Sequence, residues 1–181
     1  MTASTKPSAI LCTPFGPIRI RVDLGAAPIT AANFLAYVDG GHLNATSFYR
    51  IVRKDNQPDD TPAKIEVIQF GYPMQDDVYS GPYPCIAHEP TNLTGLSHRD
   101  GTISMARMRP GTAGSGFFIC VGDQPELDFG GRRQPDGLGF AAFGQVEQGM
   151  EVVRAILARA EQTQLLSKPI PLLSAERDAS E

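Results

Sequence analysis

Ile18-Arg19-Ile20-Arg21-Val22-Asp23-Leu24 decides the architecture more clearly than any other stretch. Four aliphatic residues alternate with three charged ones, the period of a strand that buries one face and wets the other. Pro14-Phe15-Gly16-Pro17 precedes it and reads as a turn joining it to an earlier strand around Ile10–Cys12. Further strand-like runs follow at 48–53, 65–70, 102–107, 117–121, 140–146 and 170–175, which brings the count to eight expected strands. Two stretches keep a helical period instead. Ala31, Phe34, Leu35 and Val38 share a face behind Thr30 as expected N-cap, with Gly40-Gly41 as the stop. Met150, Val153, Ile156 and Leu157 repeat the spacing near the C-terminal end. Short strands with one early and one late helix point to a mostly β chain; periodicity leaves both a capped barrel and a sandwich open.

The bulk properties bound the function. The chain has 181 residues, 41% of them hydrophobic and 20% charged, enough for one domain with its own core. Glycine and proline are scattered as punctuation, so a single domain over 8–176 is expected, with flexible tails at 1–7 and 177–181. A net charge of −4 without a basic stripe argues against nucleic acid as a partner. No apolar run approaches a membrane span, and no secretory leader is visible at the start. Cys12, Cys85 and Cys120 are isolated, which fits a reducing compartment. The cytoplasm is therefore the expected location, with the periplasm as the alternative for a chain that has lost its leader. His42, His88 and His98 lack ligand spacing, and no metal or cofactor is expected. Asp128-Phe129-Gly130 spells a kinase triplet without the loops that give it meaning.

Gly101-Thr-Ile-Ser-Met-Ala-Arg107 followed by Gly114-Ser-Gly-Phe-Phe-Ile-Cys120 resembles the signature of the cyclophilins, the cyclophilin-type peptidyl-prolyl cis-trans isomerases. Ser47-Phe-Tyr-Arg-Ile51, Ile68-Gln-Phe-Gly71, Glu126-Leu-Asp128, Phe140-Ala-Ala-Phe-Gly-Gln-Val146 and Leu172-Leu-Ser-Ala175 match further family elements in order. Ala106-Arg107 and the aromatic before Ala141-Ala142-Phe143 look like the bacterial branch. The resemblance implies a closed eight-stranded antiparallel β-barrel capped by two helices. It also implies isomerisation of X-Pro bonds in peptides and in unfolded or folding proteins, without metal or cofactor. A monomer is expected.

The chemistry suits an arginine. Amide resonance sets a barrier of roughly 18–20 kcal/mol to peptide rotation, and twisting returns a basic lone pair to the prolyl nitrogen. A donor beside that nitrogen bonds the twisted state more strongly than the planar one, which is what accelerates a reaction. Arg50 interrupts Phe48-Tyr49-Arg50-Ile51-Val52, where both strand faces are otherwise apolar, and is the candidate donor. By resemblance, Gln69 orients Arg50, Phe118 floors the proline pocket, and Leu127 and Phe140 wall it. Ala106 and Arg107 match the strip that pairs its backbone with the extended peptide.

Three departures from the family pattern stand out. Gly116 replaces a substrate-binding glutamine, and Glu126 replaces an aromatic wall, which should weaken cyclosporin-like ligands. The link from Arg50 to Gln69 carries an extra polar run at 53–64, and Glu66 and Val67 fall at the family's phenylalanine and methionine positions. Glu66 is expected to reach Arg50 if it faces the groove. Two functions follow: an isomerase, or a cyclophilin-fold module that grips proline-containing segments with little turnover.

Overall fold

The computed structural model describes residues 6–79 and 81–180, and the remaining parts of the expected tails lie outside the described residues. Nine strands form one antiparallel sheet: β1 Ser8–Thr13, β2 Gly16–Val22, β3 Ser47–Val52, β4 Val67–Gly71, β5 Thr102–Met105, β6 Gly116–Cys120, β7 Ala142–Gln148, β8 Leu165–Pro171 and β9 Ser174–Arg177. Their lateral order is β8-β3-β4-β6-β5-β7-β2-β1-β9. The sheet's two edge strands are neighbours in sequence. Leu172 N donates to Thr46 O beside β3, and Leu173 N donates to Cys12 O in β1. Two consecutive residues thus stitch opposite edges of the sheet, which must curl into a barrel-like shell to allow it.

The expected mostly β, barrel-like architecture holds, with its detail corrected. The expected last strand, 170–175, is divided at Leu172–Leu173 because those residues serve both edges, and strand pairing begins earlier, at Leu165. Pro169 and Pro171 are tolerated there because β8 is an edge strand, where one row of N–H groups is not needed. β9 runs through Arg177, and Asp178 accepts from the Arg19 guanidinium, so the ordered chain continues past 176.

Inside the shell, Leu11, Ile18, Ile20, Phe48, Phe70, Phe117 and Phe143 are fully buried with Phe34 of α1 (Pro28–Asp39). Phe117 sits at the centre of the aromatic packing, 5.2 Å from Phe34 and 5.6 Å from Phe70. Thr30 does not cap α1. The helix starts at Pro28, whose ring suits a first-turn position that needs no N–H partner. The first-turn N–H groups are satisfied from elsewhere: the buried Glu89 carboxylate accepts from Ile29 N, from Thr30 N at 2.7 Å and from Thr30 Oγ1 at 2.6 Å. A short α2 (Thr91–Thr94), which apolar periodicity does not signal, follows Glu89, and α3 (Met150–Leu157) packs Val152, Val153 and Ile156 onto the core.

A second apolar cluster lies on the opposite face of the sheet. Val52, Ile65, Val67, Tyr79, Ala106, Phe118, Cys120, Leu127 and Phe140 form it. Period 2 explains the division: in β4, Ile68 and Phe70 point inward while Val67 and Gln69 point outward.

Candidate active site

Arg50, Gln69 and Phe118 stand in one cross-strand row. Arg50 of β3 pairs in register with Gln69 of β4, which pairs with Phe118 of β6, which pairs with Ser104 of β5. A bulge at Tyr49 shifts the β3 register between Phe48 and Arg50. Bulges re-aim side chains, and here Tyr49 and Arg50 both reach the outer face while Phe48 and Ile51 stay in the core. This local device reconciles a strand that looks apolar on both faces with a charged residue in its middle.

The Arg50 guanidinium is held on two sides. Nη1 donates to Gln69 Oε1 at 2.9 Å, while Nε and Nη2 both donate to Gln164 Oε1, at 3.1 and 2.5 Å. Gln69 is held in turn. Its Nε2 donates to the Tyr49 hydroxyl at 2.7 Å and to the Tyr79 hydroxyl at 3.2 Å, which fixes its amide with the oxygen toward Arg50. Burial lowers the Arg50 pKa, and the Tyr79 and Tyr49 hydroxyls oppose that shift. Burial pushes the Tyr49 phenol up, well beyond its ordinary value, so it remains a neutral hydroxyl.

A cavity of about 780 Å³ opens beside this row. Arg50, Gln69, Val67, Phe118, Leu127, Phe140, Ala106 and Arg107 all line it. Phe118 meets Phe140 edge-on with centroids 5.6 Å apart, and His98 stacks behind Phe118 at 6.1 Å. His98 is pinned between Asp128 at 2.7 Å and Ser104 at 2.8 Å. It packs behind Phe118, a placement that ligand spacing could not reveal. Arg107 is buried: it forks onto Asp136 at 2.8 and 3.0 Å, donates to Gly139 O, and lies over the Phe140 ring. Its side chain braces the wall residue Phe140. Ala106 already spends its N–H on Gly116 O.

Two expected residues lie outside the cavity lining. Glu66 does not reach Arg50. It precedes β4 on the face opposite Val67 and Gln69, and its carbonyl accepts from Val121 N. Gly116 presents no surface to the cavity because the Tyr79 ring covers it: a Cβ built there would come within 2.5 Å of Tyr79 Cδ1. Tyr79 itself lines the cavity and bonds Gln69. The glutamine that the family pattern places at 116 is therefore replaced in space by a tyrosine from a distant loop. Glu126 does not line the cavity and pairs instead with Arg132, 2.9 Å away, so residue 126 supplies no aromatic wall.

The extra polar segment is tightly organised. Asn56 Nδ2 donates to Ile51 O and Glu161 O, and Gln57 Nε2 donates to Arg53 O and Ile65 O. Arg133 Nη1, from a loop far along the chain, joins it by donating to Gln57 Oε1 and Ala63 O. Arg133, Gln164, Tyr49 and Tyr79 were not singled out by sequence reasoning, since they come from a bulge and from irregular loops.

Residues 9–177 match the family model for cyclophilin type peptidyl-prolyl cis-trans isomerase/CLD. The chain belongs to that family. It is 36% identical over 155 residues to peptidyl-prolyl cis-trans isomerase A of Dickeya dadantii, spanning 85% of this chain and 73% of the relative. It is 34% identical over 145 residues to peptidyl-prolyl cis-trans isomerase B of Escherichia coli, spanning 80% of each. The bacterial character seen in the sequence agrees with these relatives. Among solved structures, a cyclophilin type isomerase of Cryptosporidium parvum shares the fold with a TM-score of 0.76 at 20% identity, covering 97% of this chain and 99% of that one. The same protein crystallised in the presence of the dipeptide Ala-Pro matches with a TM-score of 0.75.

Proposed function

We propose that this cyclophilin-type isomerase accelerates X-Pro rotation by seating the proline ring against Phe118, Leu127, Phe140 and Val67 and aiming Arg50 at the prolyl nitrogen. The observation that carries this reading is the Arg50–Gln69–Phe118 row facing a single largely apolar cavity. Gln69 and Gln164 fix three N–H groups of Arg50, so the donor is positioned before substrate arrives and little reorganisation remains at the barrier top. The guanidinium never needs to give up a proton, so neither a general base nor a nucleophile enters the mechanism. Gln69 and Gln164 are positioning residues; Tyr49 and Tyr79 position Gln69. Its substrates are proline-containing peptides, with unfolded and folding proteins as the biological form, acted on by a cytoplasmic monomer.

A second reading has one observation in its favour. Gln164 Oε1 engages both Nε and Nη2 of Arg50, which would suit a module that grips proline segments without turning them over. Proline-limited refolding separates the two. Arg50→Ala is expected to lower kcat/KM by about 10²–10³-fold, the range for removing one transition-state donor. Arg50→Lys, which keeps the charge but not the fork, should fall between. Equal rates for wild type and Arg50→Ala, with both proteins folded by calorimetry, exclude Arg50-dependent catalysis.

A further inference from the structure

The charge lining the active cavity is one-sided. Arg50, Arg107 and Arg133 line it, and no carboxylate does among the described residues. Arg107 is neutralised by Asp136, 2.8 Å away. The other two are held by neutral acceptors alone: Arg50 by the amides of Gln69 and Gln164, Arg133 by the Gln57 amide at 2.8 Å and the Ala63 carbonyl at 3.0 Å. The neighbouring residue supplies a contrast. Arg132 meets Glu126 outside the cavity and is an ordinary surface ion pair.

Arg133 is built into its place rather than draped over the surface. Gln57, which receives it, is buried and makes two further bonds to the Ile65 backbone, donating to its carbonyl and accepting from its N–H at 3.2 Å. Two cations thus share one partly dry space in a chain whose net charge is −4. Burial lowers the Arg133 pKa, and the positive charge of Arg50 pushes it the same way. An anion entering that space would meet two guanidinium groups with unanswered charge in a setting where Coulomb attraction is less screened than in bulk water.

We infer that Arg133 is a specificity residue that makes this isomerase favour segments carrying an aspartate or glutamate beside the proline. The inference rests on the placement of the proline ring next to Arg50 proposed above. Carboxylate on the substrate, rather than a free anion, is the fitting partner because the same cavity must also take the apolar proline ring.

The test compares peptides that differ only in the residue before or after proline: Glu, Gln or Lys. Cis-trans exchange is measured by NMR exchange spectroscopy, and Kd by chemical-shift titration of the same samples. Wild type should handle the Glu peptide about tenfold better than the Gln peptide at one of the two positions, the scale of one hydrogen bond to a charged group, with Lys worst. Arg133→Gln should collapse that Glu-to-Gln ratio toward one, and high salt should reduce it in wild type. The ratio is taken on a single protein, so a general loss of activity leaves it unmoved. A ratio near one in wild type at both positions, or a preference that survives Arg133→Gln, overturns the inference. Catalysis absent on every peptide would count against the Arg50 mechanism instead, and the Kd ratio would still decide the role of Arg133.

Discussion

Gly116→Ala should harm this protein through one contact. Glycine to alanine in an extended strand ordinarily stabilises by about 0.4–1 kcal/mol, by narrowing the unfolded ensemble. Gly116 has no positive φ, so backbone strain adds nothing. The added Cβ, however, would lie 2.5 Å from Tyr79 Cδ1, 2.9 Å from Cε1 and 3.2 Å from Cγ. Tyr79 cannot simply withdraw, because its N–H donates to Thr112 O at 2.8 Å and its carbonyl accepts from Ser115 N at 3.0 Å. The ring must rotate, and its hydroxyl then leaves Gln69. Overpacking of this kind costs about 1–3 kcal/mol and the lost hydrogen bond about 1 kcal/mol. Less the ordinary gain, the net cost is about 1–3.6 kcal/mol, which corresponds to a Tm lower by roughly 2–14 °C for a domain of this size.

A double-mutant cycle isolates the cause. In a Tyr79→Ala background the space over residue 116 is empty, and adding the methyl group should cost less than about 0.5 kcal/mol. Calorimetry of the four proteins measures the coupling, and isomerase assays on a neutral peptide should show Gly116→Ala losing only part of its activity, since Gln69 gives up its bond to Tyr79 but keeps those to Tyr49 and Arg50. Equal costs in both backgrounds, or a Gly116→Ala protein as stable as wild type, would refute the claim that Tyr79 fills the place of the family glutamine.

Three other outcomes are expected. Glu89→Ala should destabilise by about 2–4 kcal/mol in urea unfolding, because it leaves the first-turn N–H groups of α1 and the buried Thr30 hydroxyl without their acceptor. Bonds from Ser180 and Arg19 depress the Asp178 carboxyl to about 2. A depressed carboxyl contributes stability above its unfolded value of about 3.9 that is lost as pH falls toward 2, so Asp178→Asn should flatten the pH dependence of stability in that window only. Cyclosporin-like ligands should bind weakly, since Glu126 leaves one side of the pocket without an aromatic wall; a nanomolar Kd by calorimetry would contradict this.

What could be read from the sequence was whatever strand periodicity and the family pattern constrain together. Arg50, Gln69 and Phe118 are legible because register fixes cross-strand neighbours, and the alternation in β4 and β6 fixes their face. Glu66 was misplaced for the same reason: a period-2 strand that sends Val67 and Gln69 outward sends residue 66 the other way. The early part of β8 went unseen because its polar residues and Pro169 do not alternate, an irregularity that an edge strand tolerates. Tyr79, Gln164 and Arg133 were invisible for a different reason, since no periodic rule governs a loop side chain that arrives from far along the chain.

That division bears on how the site works. The residues dictated by the sheet, Arg50, Gln69 and Phe118, are those to which the proposal above gives the rotation chemistry, while loops deliver their surroundings: Tyr79 contacts Gln69, Gln164 clamps Arg50, and Arg133 adds charge. Loop residues can be exchanged without disturbing a strand register. Glycine at 116 and tyrosine at 79 therefore form one exchange, in which deletion of a side chain from a strand makes room for a ring from a loop. Restoring Gly116→Gln alone should fail through collision with Tyr79, whereas Gly116→Gln with Tyr79→Ala should fold and retain Arg50-dependent catalysis on a neutral peptide. If the single substitution matched the double one in both stability and rate, the two positions would not be coupled, and the departure at 116 would have to be read as simple loss of a substrate contact.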